Sequence, residues 1–417
     1  MPFAHVVLDI PTRALSGTFD YAIPESLEET AVVGTTVLVP FSHRQVVGYI
    51  VGVSDRVSLG LDVSRVLPIT QVLADSAFDE QSAQVAEWMS KEYACSYADA
   101  LHPFLAPGQK VKVTRKDVDS PWQLVCEKSG PVDERWVELT EKAADFTPSA
   151  NASKQRSVLE ALSQGAMRLS ELSATIPGAR SAVTALQKKG VVEIRTQRQI
   201  RGSQEGLGTT LSSGVAPRPQ QLTEGQESAL AAIKTAQTAA QGDVVLIDGV
   251  TGSGKTEVYL SAIEKTLAAG KGAVVLVPEI SLTAQTVGRF RSRFGEQVAV
   301  LHSKLSLGER FDQWDLIRQG RARVVVGARS ALFAPIQNLG LYIIDEEHEA
   351  SYKQDSLPRY HAREVAAQMA RLRGAALVLG SATPSLESLY RTAQGSWRGT
   401  QWTRVAMTER PGVAVLP

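Results

Sequence analysis

Cysteine is almost missing from this 417-residue chain. Cys95 and Cys126 are the two present, too few for a disulfide framework or a cysteine-based zinc site within the chain, and a reducing cytoplasm is the expected setting. Long apolar runs are missing too. None approaches the roughly 20 residues that cross a bilayer, and the N-terminal stretch MPFAHVVLDIP has no charged segment followed by a long apolar one. The expectation is a soluble chain with no membrane partner. Net charge is also absent, since 44 Lys and Arg balance 44 Asp and Glu, so overall charge selects no partner. That balance conceals a segregation. Residues 1–105 hold 13 acidic and 5 basic side chains, whereas residues 153–201 hold 9 basic and 3 acidic. If nucleic acid binds, the second stretch is the expected phosphate-facing surface.

What is present divides into several domains, as the length requires. Short β-branched runs at 4–9, 32–40 and 46–53, punctuated by Gly, Pro and Ser, predict a small β-rich module. Residues 81–105 follow with helical spacing and end at Pro107-Gly108, closing a first domain at 1–108. Residues 109–152 show no clear pattern and stay unassigned. Residues 153–200 read as helix, helix, helix and strand, with Ser153 and Ser170 as candidate caps. That order and the basic balance resemble a winged-helix module, which either faces a DNA groove or serves as a protein-docking spacer. Gly, Ser, Thr and Pro dominate 201–219, a predicted flexible linker. From 220 to 417, apolar runs at 244–248, 273–278, 298–302, 323–328, 341–345 and 376–380 alternate with helical segments, the rhythm of a parallel sheet covered on both faces. The predicted fold is thus multidomain, ending in an α/β P-loop lobe of RecA-like type.

The chemistry concentrates in that lobe. Gly249-Val250-Thr251-Gly252-Ser253-Gly254-Lys255-Thr256 joins a strand to a helix, the context a phosphate-binding loop demands. Its glycines let backbone N–H groups close around phosphate oxygens, Lys255 is placed to reach the β- and γ-phosphates of ATP, and the Thr256 hydroxyl to hold Mg²⁺. A buried strand then releases Asp345-Glu346-Glu347-His348 at its C-terminal end. Asp345 is the candidate second Mg²⁺ ligand and Glu346 the group that orients or deprotonates the attacking water. Turns at strand ends supply small hydroxyl groups and an arginine suited to a sugar-phosphate backbone: Ser281, Thr283, Arg329 and Ser330. Ser381 and Thr383 are placed to relay between nucleotide and strand. Helix capping competes with each of these readings. Gln226 is a candidate for an adenine edge, or equally the far end of a capping box begun by Thr223.

GVTGSGKTEVY, VPEISLT, LHSKLS, VGARSALFAP, IDEEHEASYKQD, RYHARE and GSATPSLE, in this order, resemble the first helicase lobe of the primosomal replication-restart helicase family PriA. The stretch MPFAHVVLDIPTRALSGTFDYAIPE resembles that family's DNA 3′-end-binding domain. The likeness covers about 1–105 and 220–410. It implies a superfamily 2 ATP-dependent DNA helicase of 3′-to-5′ polarity that recognises stalled replication forks and initiates primosome assembly and replication restart. Forked and single-stranded DNA, primosome and replisome proteins and single-strand-binding protein are its implied partners. By the same resemblance Phe19, Asp20 and Tyr21 lie at the pocket for a terminal nucleotide, and Arg359 and Tyr360 in an aromatic-rich loop that contacts phosphate and stacks on a base. The family has a basic residue before a proline in its first domain, where this chain has Leu67 before Pro68 and Arg65 nearby. The family's zinc-binding insertion and second lobe, with its arginine fingers, do not follow GSATPS here. A truncated chain with weak ATP binding and little hydrolysis is therefore expected. The alternatives are a non-catalytic fork-binding assembly factor and another superfamily 2 translocase.

Overall fold

The computed structural model describes residues 2–10, 17–107, 112–117, 120–125, 132–149, 151–199 and 221–410. The expected linker at 201–219 and Cys126 lie outside them. Two units result: Met1–Ser129 with Gln204–Pro417, and Gly130–Ser203.

In the first unit, strands β1 (Phe3–Leu8), β2 (Phe19–Ala22), β3 (Thr36–Phe41), β4 (Arg44–Ser54) and β5 (Gln71–Ala74) form an antiparallel sheet of order β2-β1-β4-β3-β5. Alternation puts Ala4, Val6, Val37, Val39 and Ile50 on its buried face, with Tyr21 and Ile23. Helices α1 (Glu80–Glu92) and α2 (Tyr97–Leu101) follow, capped by Asp79 and by a Ser96–Asp99 capping box. A short antiparallel pair, β6 (Lys112–Thr114) and β7 (Gln123–Val125), completes this part.

The second unit consists of β8 (Val132–Leu139), α3 (Ser153–Leu162), β9 (Met167–Arg168), α4 (Leu169–Thr175), α5 (Ala179–Lys188) and β10 (Val192–Gln199). The expected three helices and strand are there. So is β8, from the stretch left unassigned, paired antiparallel with β10 along its whole length and with β9. Its sequence VDERWVEL places four charged residues among eight, which hides the alternation that buries Val137. Neither Ser153 nor Ser170 caps a helix, because α3 and α4 begin after Ala152 and Arg168 with no side-chain cap.

Returning to the first unit, the chain forms α6 (Glu224–Ala239), β11 (Val244–Gly249), α7 (Lys255–Ala268), β12 (Gly272–Leu276), α8 (Ala284–Phe294), β13 (Val298–Leu301), α9 (Leu307–Arg318), β14 (Val324–Gly327), β15 (Leu339–Asp345), α10 (Ala362–Arg373), β16 (Ala376–Ser381), α11 (Leu386–Gln394), β17 (Ser396–Trp397) and β18 (Thr400–Met407). The sheet order is β13-β14-β12-β15-β16-β11-β18-β17, parallel except for the last pair. Both faces are apolar, as a covered parallel sheet requires. One face sets Ile247, Val275, Ile343 and Val378 against α6, α7 and α8. The other sets Leu246, Leu276, Ile344 and Leu379 into a core that also takes in Met89, Leu101 and Phe104 from the α1–α2 region. Each such side chain contributes about 1.5–3 kcal/mol on burial. The helical segment expected to close off the first domain is thus built into the lobe. Arg373 is bonded to Asp79 at 2.9 Å, Gln81 donates to Leu372 O at 3.0 Å, and Phe104 meets Phe333 edge-on with centroids 4.9 Å apart.

Candidate nucleotide and DNA sites

Strand β11 ends in a turn whose geometry only this glycine pattern allows. Gly254, at φ 84°, is the left-handed residue that opens α7 at Lys255. A Cβ on Gly249 would lie 2.8 Å from Ser253 Oγ and 3.2 Å from Lys255 Cγ, so the loop closes on itself only with glycine there. Ser253 Oγ is buried without a partner, and the buried Lys255 ammonium rests 2.7 Å from Gly249 O and 3.9 Å from Glu346 Oε1. The cleft around them, about 400 Å³, is lined by residues 250–257 with Leu260, Arg289, Asp345 and Glu346. All seven remaining loop residues of the motif beyond Gly249, together with both acids, therefore meet in one cavity.

Asp345 arrives there from β15, one strand removed from β11 across β16. Burial, and then the Glu346 carboxylate beside it, raise its pKa above the ordinary aspartate value. Glu346 has φ 45°, a left-handed conformation for a side-chain-bearing residue, at the turn where its carboxylate comes near Lys255. Ser381 is fully buried, its Oγ 2.8 Å from His348 Nδ1 and accepting from Thr383 N at 3.0 Å, while His348 lies 3.7 Å from Glu346. The two candidate relay residues are thus joined, Thr383 through its main chain.

Three groups were not foreseen from sequence. Arg289 lines the cleft from α8, with Arg293 one turn further on bonded to Glu257 and Glu264 of α7 at 3.0 and 3.1 Å. Tyr259, fully buried, donates to Asp345 Oδ1 at 2.9 Å. Glu347 faces away from the cleft into a buried knot: its carboxylate accepts from Arg363 Nη1 at 2.8 Å, Ser385 N at 2.6 Å, Ser385 Oγ at 3.0 Å and Ser388 Oγ at 3.0 Å. A signal for that knot was available, since Arg363 sits in RYHARE and Ser385 in GSATPS, but an acid, an arginine and serines at these separations do not reveal that they meet.

Of the two readings of Gln226, the structure forms the capping box. The capping box with Thr223 is formed in both directions, and Gln226 Nε2 donates to Ser253 O at 3.2 Å. Both ends of its buried carboxamide are occupied, and through Ser253 it braces the loop from behind. Tyr360 departs from expectation. It is 4% exposed, edge-on to Phe333 at 5.2 Å, so its ring is not presented for base stacking. Arg329 lies over that ring at 5.9 Å and donates to Ser351 O and Lys353 O, holding the loop's backbone. Arg329, Ser330 and Tyr360 do share a cavity of about 180 Å³ with Glu279, Ser303 and Arg310. Thr283 caps α8, accepting from Thr286 N at 3.2 Å, and Ser281 and Arg359 lie outside that cavity's lining, Arg359 donating to Asp355 O.

In the first domain Phe19 packs edge-on against Phe41 and the buried Tyr21 donates to Pro40 O at 3.1 Å. The Asp20 side chain is 1% exposed, held by His5 Nδ1 at 2.6 Å and Ser58 N at 2.5 Å. Burial alone would raise its pKa; the Ser58 and His5 hydrogen bonds outweigh that and leave it lowered. Asp20 therefore organises this corner and does not present an open carboxylate to a base. Leu67 O accepts from Ala22 N at 2.9 Å, which pins the segment carrying Arg65 beside β2.

Residues 5–106 match the 3′DNA-binding domain family and residues 223–392 the DEAD/DEAH box helicase family. Replication restart protein PriA of Bacillus subtilis is 37% identical over 95% of this chain and 55% of its own length, and that of Synechocystis sp. 34% over 93% and 52%. The chain spans about half the length of these curated relatives. Among solved structures, RecG bound to a three-way DNA junction is similar at 25% identity over 47% of this chain and 25% of that one, with a TM-score of 0.35. With a 3′DNA-binding domain and a DEAD/DEAH box lobe in one chain, and PriA proteins aligned along nearly all of it, the chain belongs to the PriA replication restart family.

Proposed function

We propose that this chain is the fork-recognising and ATP-binding part of a DNA helicase of 3′-to-5′ polarity that serves replication restart. The observation that carries the reading is the shared cleft of Lys255, Asp345 and Glu346, adjoining the loop turn opened by Gly254. Its residues fit a nucleoside triphosphate with Mg²⁺. A buried, unpartnered Ser253 hydroxyl and a buried ammonium held by one carbonyl and by the more distant Glu346 carboxylate suit an anion. The crowding of Asp345 and Glu346 favours a cation beside them.

Lys255 and the amides at the start of α7 bind and orient the β- and γ-phosphates. Thr256 and Asp345 would hold Mg²⁺, which would neutralise charge on the phosphate oxygens. Glu346 accepts the proton of the attacking water at its carboxylate. Glu347, despite its place in the same motif, takes no part in proton transfer because its oxygens are engaged by Arg363, Ser385 and Ser388. The Arg329–Ser330–Tyr360 cavity is assigned to single-stranded DNA, whose backbone Arg329 and Ser330 would contact without reading bases. The first domain accepts a strand's 3′ end near Phe19 and Tyr21.

The test is ATP hydrolysis measured with forked DNA, with and without a leading-strand 3′ end at the junction, on the unsubstituted protein and Lys255→Ala. The low hydrolysis expected of this chain should be stimulated most by the 3′-ended fork and lost in Lys255→Ala, with fork affinity nearly unchanged. An equal loss of fork affinity in Lys255→Ala contradicts the division of labour between cleft and DNA surfaces.

A further inference from the structure

Lys255 and Tyr259 are four residues apart on α7 and so share one face of the helix. Lys255 points into the cleft, and Tyr259 passes behind it, its hydroxyl ending 2.9 Å from Asp345 Oδ1. To get there it crosses β16, the strand between β11 and β15. It crosses at Gly380, the residue paired with Asp345 in the parallel ladder. A Cβ at Gly380 would lie 1.7 Å from the Tyr259 hydroxyl, so the passage exists only because that position has no side chain. On the main-chain side, Tyr352 Oη donates to Asp345 O at 2.6 Å and to Leu276 O at 3.2 Å. Two buried phenols thus hold one aspartate, one by its carboxylate and one by its carbonyl.

Packing alone does not explain this arrangement. A phenylalanine at 259 would fill the same ring volume without placing a hydroxyl in the core, where an unpaired polar group is costly. The hydroxyl, 2.9 Å from Asp345 Oδ1, donates to the carboxylate and so meets it as a fixed partner. We propose that Tyr259 is a positioning residue for the metal-binding aspartate: its hydroxyl fixes the rotation of the Asp345 carboxylate toward the cleft, and Gly380 is the opening that lets it do so. This rests on the reading of the cleft as an ATP–Mg²⁺ site and adds a residue that ties the phosphate-loop helix directly to the metal ligand.

Outer hydrogen bonds to a metal ligand typically change metal affinity 10- to 100-fold. The experiment measures Mn²⁺ binding by electron paramagnetic resonance in the presence of a non-hydrolysable ATP analogue, and binding of the analogue without metal. The full chain is compared with Tyr259→Phe, Gly380→Ala and Lys255→Ala. Tyr259→Phe should weaken Mn²⁺ binding about 10- to 100-fold, with metal-free analogue affinity and melting temperature little changed. Gly380→Ala, which keeps the hydroxyl but displaces it, should weaken Mn²⁺ in the same direction. Mn²⁺ affinity of Tyr259→Phe within about twofold of the unsubstituted chain overturns the inference while leaving the ATP site intact. Failure of the unsubstituted chain to bind the analogue any better than Lys255→Ala overturns the ATP-site reading and this inference with it. A melting temperature lowered in Tyr259→Phe in step with analogue binding assigns the tyrosine a purely structural role and overturns the proposal as well.

Discussion

Replacing Glu347 by alanine should destabilise the helicase lobe severely without touching the nucleotide cleft. The side chain is 1% exposed and its four hydrogen bonds gather Arg363 from the start of α10 with Ser385 and Ser388 around the start of α11. Removing it leaves the buried Arg363 guanidinium with Glu364, 3.3 Å from its Nε, as the remaining counter-charge. Breaking a buried pair from one side costs about 3–5 kcal/mol, and the surviving Glu364 contact points to the lower end. For a domain of this size such a loss lowers the melting temperature by roughly 6–20 °C. Burial by itself would raise the Glu347 pKa, but the Ser385 N–H and then Arg363 more than offset it and leave it lowered. The stability from this carboxylate is therefore complete above the unfolded pKa of about 4.3 and is lost as pH falls through the lower folded value. Thermal and urea unfolding of Glu347→Ala, Arg363→Met and the double variant, at pH 7 and at pH 4, measure both effects. A double-mutant coupling below about 0.5 kcal/mol, or a melting temperature within 2 °C of the unsubstituted protein (roughly the effect of 1 kcal/mol or less), refutes the knot as a structural tie.

Three further outcomes follow from the geometry. His361 is pushed down to about 4, by burial first and then by Arg363; its unfolded form takes up a proton that the folded form resists, so stability should fall by about 3 kcal/mol as pH drops from 6.5 toward 4, and His361→Asn, which still caps α10, should flatten that limb in urea titrations. Arg289→Ala should weaken an ATP analogue about tenfold, the loss of one charged hydrogen bond, and affect AMP far less; equal effects on both in calorimetry would remove Arg289 from the phosphate end of the cleft. Tyr360→Ala should cost about 3–5 kcal/mol, as large aromatic truncations in cores do, with DNA affinity falling only alongside stability, whereas Tyr360→Phe keeps both; DNA affinity lost at unchanged melting temperature would restore a stacking role.

The six apolar runs of the lobe were legible because a strand covered on both faces is almost wholly hydrophobic, and each lies in or across a strand of the parallel sheet. β18 was not, because TQWTRVAM alternates and has threonines and an arginine on an outer position, where only Trp402 and Met407 of its larger side chains are buried. The phosphate loop could be read from local spacing alone, since its function lies in its own backbone. What gathers around it could not. Tyr259 reads as one more apolar position on an amphipathic helix, Arg289 as one more surface charge, and Glu347 as an equal member of an acidic run. Only the crossing of strands shows that one of three adjacent acids meets Tyr259, one lies near Lys255 and one faces the opposite side. Asp20 and Tyr360 differ from what the family resemblance implies because burial, which a resemblance does not show, decides whether a group is presented.

The core that joins Phe104 to Phe333, and Phe333 to Tyr360, has a mechanical corollary. A domain hung on a tether samples many separations from its neighbour, but one that shares side-chain packing with it keeps a constant span. A strand terminus lodged at one end and a template running past Arg329 would then be held a set number of nucleotides apart. On the proposed reading, that fixed span would favour junctions whose gap suits it over those that are too long or too short.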